Sequence, residues 1–290
     1  MAQILVTGAG GFIGAALVRR LRADGHDPVC LSGSGRQGPG EFRQFDLLEA
    51  GVADVARLTQ ETGVTHCIHA AWYTNHADYL VSDINHAWRD ASLRLAAGFR
   101  EGGGTRFVGL GTCLEYDQDA DGGRFSEALT PLRPETLYAR CKTALYERLA
   151  EAGGDFAWAR IFFVYGPGDR AGRLVPSILA GLAKGERVGA RFGGLRRDYI
   201  HVDDLAGQVA RIALSDLTGA VNTGTGRAER IADIFTAAAE IAGRPNLVDV
   251  NDRTGGGQAD LIEADMTRFE AEIGSPATRP IRDGLAELLR

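Results

Sequence analysis

The chain has 290 residues, is 44% hydrophobic and 24% charged, and carries a formal net charge of −6. That length and apolar content suffice for a full core without disulfide or metal staples. The acidic balance, with Lys142 and Lys184 the only lysines, leaves no basic footprint for nucleic acid or an anionic membrane surface.

Cys30, Cys67, Cys113 and Cys141 form no C-x-x-C pair, so neither a zinc ribbon nor a disulfide framework is indicated, and a reducing, cytoplasmic setting is expected. The apolar opening from Ile4 to Val18 lacks a charged leader and is broken by glycines, unlike a signal sequence. No later run approaches the roughly 20 apolar residues of a membrane helix.

In chain order, residues 3–7 (QILVT) read as a buried strand and Phe12 to Ala23 as a helix stopped by Gly25. Apolar runs of strand length follow at Pro28 to Ser32, Thr65 to Ala71, Arg106 to Gly111 and Phe156 to Val164, separated by helical stretches. This alternation predicts an α/β fold, a Rossmann-type doubly wound parallel sheet. Past about Gly166 the rhythm loosens, with glycine-rich connections at Gly193-Gly194 and Gly255 to Gly257 and a helical ending from Asp265. The expected organisation is a dinucleotide-binding domain over 1–165 and a smaller C-terminal substrate-binding lobe, mainly 166–290, interleaved with the sheet.

Between the first strand and helix lies Thr7-Gly8-Ala9-Gly10-Gly11-Phe12-Ile13-Gly14, with glycines at G-x-x-G-x-x-G spacing. Gly8 permits the tight turn, Gly11 lets backbone N–H groups approach a pyrophosphate at the positive helix end, and Gly14 lets helix and strand pack closely. Phe12 and Ile13 belong to the same contact. The second strand ends at Ser32 without the acidic residue that would bond an NAD ribose, and Arg36 follows in the Gly33 to Gly40 loop. NADP(H) is therefore favoured, with NAD(H) the alternative. Asp46 and Leu47, beyond the Gly33 to Gly40 loop, are expected on the adenine side.

Among seven tyrosines only Tyr138 has a lysine four residues on, Lys142, and helical spacing puts both on one face. A nearby Lys⁺ lowers a phenol's pKa from its ordinary value of about 10, making Tyr138 a candidate proton donor or acceptor. Thr112 ends the strand at Gly109 to Gly111, at the carboxyl edge where open α/β sheets bind ligands, and can hydrogen-bond the same substrate oxygen.

The segments TGAGGFIG (Thr7 to Gly14), IHAA (Ile68 to Ala71), Asn85, Thr112, YARCK (Tyr138 to Lys142), FVYGPG (Phe163 to Gly168) and RDYIHVDD (Arg197 to Asp204) together resemble the extended short-chain dehydrogenase/reductases, the NAD-dependent epimerase/dehydratase family, over essentially the whole chain. The resemblance implies a catalytic triad of Thr112, Tyr138 and Lys142, with Lys142 also holding the nicotinamide ribose. It implies cofactor contacts at Ala70, Ala71 and Asn85, and Arg197 at a sugar-nucleotide diphosphate, which a planar guanidinium suits. Arg173, Trp72, Tyr73 and His76 are expected on the substrate wall. His201, Asp203 and Asp204 read as structural, the two aspartates opening a helix. A homodimer is expected, for which the apolar face of Leu137, Cys141, Leu145 and Leu149 could serve, unless it simply packs on the sheet.

Departures from the pattern narrow the chemistry. Cys113 and Leu114 stand where the family's sugar dehydratases carry Asp-Glu, and neither supplies the acid and base that water elimination needs. Phe163 replaces the asparagine of L-R-x-x-N. The GTC-x-EY form, Gly111 to Tyr116, is similar to reductases that finish deoxysugar nucleotides, such as CDP-abequose and CDP-paratose synthases. The expected function is an NADP(H)-dependent reductase of a nucleotide-diphosphate 4-keto-6-deoxy sugar. An NAD-dependent 4-epimerase and a non-catalytic NADP-binding sensor are the alternatives.

Overall fold

The computed structural model describes residues 2–33, 42–257 and 259–290. Its main sheet has seven strands: β1 (Ile4–Thr7), β2 (Val29–Ser32), β3 (Phe42–Gln44), β4 (His66–His69), β5 (Arg106–Thr112), β6 (Asp155–Ile161) and β7 (Gly219–Thr223). Their order is β7-β6-β5-β4-β1-β2-β3, and every pair is parallel. All residues of β1 and β5 are buried, which is why these strands read as unbroken apolar runs rather than as alternating ones. The winding reverses between β1 and β4, which opens a crevice at their carboxyl ends.

Helices α1 (Phe12–Ala23), α2 (Val52–Thr62), α3 (Ile84–Glu101), α4 (Leu137–Ala152), α5 (Leu174–Lys184) and α6 (Val202–Ala213) follow in chain order. α1 pairs with α6, while α2, α3 and α4 pack side by side on the other face of the sheet. α6 opens with Asp203 and Asp204 in its first turn, where carboxylates suit the positive helix end. His201 caps it, Nδ1 accepting from Asp203 N at 3.3 Å.

Two expectations need correction. The run from Phe156 to Val164 is not one strand: it breaks at Phe162, and Phe163–Tyr165 pairs instead with Tyr199–His201. Phe163 N donates to Asp198 O at 3.0 Å, so the chain leaves the main sheet there. An unbroken apolar run carries no mark of where its pairing partner changes. The ending from Asp265 is likewise two short helices, Thr267–Glu272 and Ile281–Leu288.

Beyond Tyr165 a third core, after those on the two faces of the sheet, gathers Val175, Ile178 and Leu182 of α5 with Ile234 and Phe235. The segment 202–223 returns to the main sheet as α6 and β7. Cys141, Leu145 and Leu149 of α4 are buried inside the chain, the leucines packed on the sheet against Phe156 and Trp158, while Leu137 is half-buried. Among the described residues no helix is long and apolar enough to cross a membrane.

Candidate active site

The first half of the site is bare backbone. Gly8 has φ +65°, and a Cβ there would lie 2.7 Å from Ala71 N; a Cβ on Gly14 would lie 2.1 Å from Gly8 O. Neither position admits a side chain. Gly11 caps α1 with no side-chain bond to the first-turn N–H groups and no acidic residue in that turn, so the positive helix end remains available to an anion. It borders a cavity of about 410 Å³. Gly8, Gly11, Phe12, Ile13 and Gly14 line one side of this cavity, Ser32, Asp46 and Leu47 a second, and Ala70 and Ala71 a third. These residues fit a dinucleotide, with its pyrophosphate over the glycines. Arg36 lies outside the described residues.

The floor of this cradle is held from below. Thr7 Oγ1 accepts from Ala71 N at 3.3 Å and bonds His69 Nδ1 at 2.7 Å, and His69 Nε2 bonds Ser92 Oγ at 2.8 Å. Burial, then the nearby Lys142 charge, push the His69 imidazole down to about 3, so it is neutral here.

A second cavity, of about 320 Å³, adjoins the first and holds Thr112, Tyr138 and Lys142 in its wall. Thr112 ends β5 and opens the 3₁₀ turn Cys113–Glu115, its Oγ1 accepting from Leu114 N at 3.3 Å. Tyr138 sits in the first turn of α4, which Thr136 caps through Ala139 N at 3.1 Å. Its ring meets Tyr79 edge-on at 5.2 Å between centroids and Trp72 at 6.2 Å.

Lys142 reaches several groups at once. Its Nζ donates to Leu110 O at 2.8 Å and stands 3.7 Å over the Trp72 ring, but 5.9 Å from the Tyr138 ring. Burial lowers Lys142 to about 7, against a raising influence from Glu115. Tyr138 is driven above its ordinary range by burial first, then by Tyr79, Glu115 and Cys113; Arg173 opposes. The phenol therefore keeps its proton across the neutral range, which suits a proton donor.

Ile13, Ala70, Trp72, Thr74, Asp169 and Arg173 line both cavities and form the passage between them. Arg173 Nε is 3.6 Å from Asp169 Oδ1. His76 also lines the reaction cavity, as does Phe163.

Three expected contacts fall elsewhere. Arg197 lines neither cavity; it is buried, donates to Arg196 O and Asp260 O, and packs 5.9 Å from the Phe163 ring. Tyr73 turns away, its hydroxyl donating to Asp78 Oδ1 at 2.8 Å. Asn85 is fully buried: its amide donates to Tyr79 O and Ser82 O, and its oxygen accepts from Trp72 Nε1, all at 2.8 Å, so it braces Trp72 instead of lining the cradle. Conversely, Tyr79, Thr74 and Asp169 reach the site without having been anticipated. Asp169 directly follows the FVYGPG segment and was within reach of sequence reasoning, whereas Tyr79 and Thr74 lie in a stretch with no periodic or turn signal.

A glycine cradle at the switch point of a parallel sheet, joined to a cavity holding Thr112, Tyr138 and Lys142, defines a dinucleotide-binding α/β enzyme. The family model for the NAD dependent epimerase/dehydratase family matches residues 4–224, and the chain belongs to that family. It is 27% identical to a dTDP-6-deoxy-L-talose 4-dehydrogenase (NAD(P)(+)) of Kitasatospora kifunensis, over 99% of this chain and 94% of that protein. It is 26% identical to a UDP-glucose 4-epimerase of Corynebacterium glutamicum, over 94% and 90% respectively. Among solved structures, it superposes with a TM-score of 0.83 on TunA, an NAD-dependent NDP-hexosamine 5,6-dehydratase of tunicamycin biosynthesis, at 25% identity, covering 100% of this chain and 97% of that one.

Proposed function

We propose that this protein is a reductase of nucleotide-linked 4-keto-6-deoxy sugars that prefers NADP(H), with residues 166–290 supplying most of the sugar-nucleotide lobe. One observation carries the reading: Tyr138, kept protonated by burial, and Thr112 line one cavity whose wall is otherwise rich in apolar groups, among them Leu114, Phe163 and Val175. Asp169 is the one carboxylate on that wall among the described residues, and it stands beside Arg173. Cys113, pushed up to about 12 by burial first and then by Asp198, is no base at neutral pH. Such a cavity suits a 6-methyl sugar that needs one proton at one oxygen, and Cys113 and Leu114 next to Thr112 offer no acid–base pair for a dehydration. The similarity to a dehydrogenase of a 6-deoxysugar nucleotide supports the same choice.

The glycine cradle, Ser32, Asp46, Ala70 and Ala71 would hold the cofactor, which when bound supplies the hydride for C4. Thr112 donates a hydrogen bond to the C4 oxygen, and Tyr138 delivers the proton. Lys142 shares the reaction end of the cavity and, when protonated, favours loss of the Tyr138 proton to substrate. The absence of an acidic residue at the end of β2 supports NADP(H) over NAD(H).

Purified protein incubated with NADPH or NADH and the 4-keto-6-deoxy derivatives of CDP-, dTDP- and GDP-hexoses is expected to consume cofactor with one of them. No consumption, with NAD retained through purification, would replace this reading by the 4-epimerase. Cofactor bound without any turnover would point to a sensor.

Arg173, on the passage between the cavities, would meet the substrate's diphosphate. Arg173→Ala is expected to raise KM for the sugar nucleotide by about 10- to 100-fold, the worth of a charge-assisted hydrogen bond, with kcat little changed. An unchanged KM would remove Arg173 from the substrate site.

A further inference from the structure

Glu115, in the GTC-x-EY segment, has no part in the chemistry above, yet its carboxylate is fully buried directly behind the reaction cavity. Oε1 accepts from Thr112 N at 2.9 Å, both oxygens lie 3.1 Å from Trp158 Nε1, and Oε2 accepts from Arg160 Nε at 2.9 Å. Arg160, only 2% exposed, donates onward to Tyr116 OH at 3.1 Å, and Tyr116 donates to Asn222 Oδ1 at 2.7 Å.

Glycines make room for this arrangement. A Cβ at Gly109 would lie 2.4 Å from the Trp158 ring, and one at Gly111 would lie 2.2 Å from Trp158 Nε1 and 2.6 Å from Glu115 Oε1. The end of β5 is thus narrow backbone gripped by Trp158 and Glu115. Two parts of the reaction centre hang from that same stretch: Thr112 itself, and Lys142 through its bond to Leu110 O.

We propose that Glu115 is a positioning residue for the reaction centre, holding through its buried pair with Arg160 the β5 end from which Thr112 projects and to which Lys142 is anchored. The proposal rests on Thr112, Tyr138 and Lys142 being the reacting group, and not on which sugar they act upon. The surroundings of Lys142 give Glu115 a second effect. Tyr138 lies one turn before Lys142 on α4, neutral His69 faces it from β4, and the Trp72 and Trp158 rings lie 3.7 and 5.8 Å from Nζ. Glu115 is the carboxylate that works against the desolvation of Lys142, while Arg160 offsets part of its charge.

Because Lys142 and Lys184 are the only lysines, NMR of isotope-labelled lysine ε-carbons follows Lys142 alone once Lys184→Arg has assigned the other signal. Glu115→Gln keeps an oxygen for Thr112 N and removes the charge. It is expected to lower the Lys142 midpoint by about one unit and turnover by about tenfold or more, with substrate KM changed far less. Glu115→Asp, which keeps the charge, is expected to return the midpoint towards the wild-type value while turnover stays low. A wild-type midpoint and wild-type turnover in Glu115→Gln would overturn the proposal. Should that variant fail to fold, the double change Glu115→Gln with Arg160→Met removes the buried pair as a unit and is held to the same readouts. If the wild-type protein reduces no keto sugar, the Lys142 midpoint still decides this question independently.

Discussion

Tyr138→Phe is expected to lower turnover by about 10²- to 10⁴-fold, the usual contribution of a positioned general acid. Cofactor affinity and melting temperature should remain near those of the wild type. The substitution deletes one hydroxyl and preserves the ring that packs edge-on against Tyr79 and Trp72. Burial already holds this phenol in its protonated form, so the variant removes a proton and little else. Steady-state kinetics together with cofactor titration on the same preparation make the check. Turnover within threefold of wild type would mean that another group, with Tyr79 the nearest phenol, delivers the proton.

Lys142→Met should do two opposite things: reduce turnover by about 10²-fold or more and make the protein more stable. Lys142 is 3% exposed and titrates at about 7 instead of its ordinary 10.5. Below pH 7 it is charged both folded and unfolded, so the full desolvation penalty weighs on the fold. Between pH 7 and 10.5 the unfolded chain binds more protons than the folded one, and stability rises with pH. Above that window the penalty is gone. A methionine of similar length carries no such penalty but forfeits the bond to Leu110 O and the contact with Trp72, leaving a net gain on the order of 1–3 kcal/mol at pH 6. Calorimetry without cofactor should find the variant several degrees more stable at pH 6 and the difference shrinking towards pH 10. A variant less stable than wild type at pH 6 would show that Lys142 is not held against its solvation. That result would mean that stability is sacrificed at the proposed reaction centre, as expected of a site shaped by its reaction.

The parts of this protein legible without coordinates are those governed by short-range geometry. A G-x-x-G-x-x-G spacing between an apolar run and an amphipathic helix leaves few alternatives to the cradle seen at Gly8, Gly11 and Gly14, because close backbone contacts exclude every other residue there. The i, i+4 spacing of Tyr138 and Lys142 put both on one face of α4, and a strand ending in Thr112 put its hydroxyl at the carboxyl edge. Membership in the NAD dependent epimerase/dehydratase family followed from the same local motifs.

Tertiary packing decided the rest, and for a common reason: each outcome depends on segments far apart in the chain. Helical spacing sets where a lysine starts but not where four methylenes end, and here Leu110 O and the Trp72 ring hold Nζ. Arg197 carries the motif expected at a diphosphate, yet packing buries it against Asp260 O and the Phe163 ring, while Arg173 at the start of α5 lines both cavities. The apolar run after Phe156 is one stretch in sequence and two strands in space, because Phe163 finds its partner on the Tyr199–His201 strand rather than in the main sheet. Local spacing therefore determined the cradle, the shared helix face of Tyr138 and Lys142, and the alternation that makes the sheet parallel. The seventh strand, the direction of long side chains and the choice of distant partners were settled only when the cores closed.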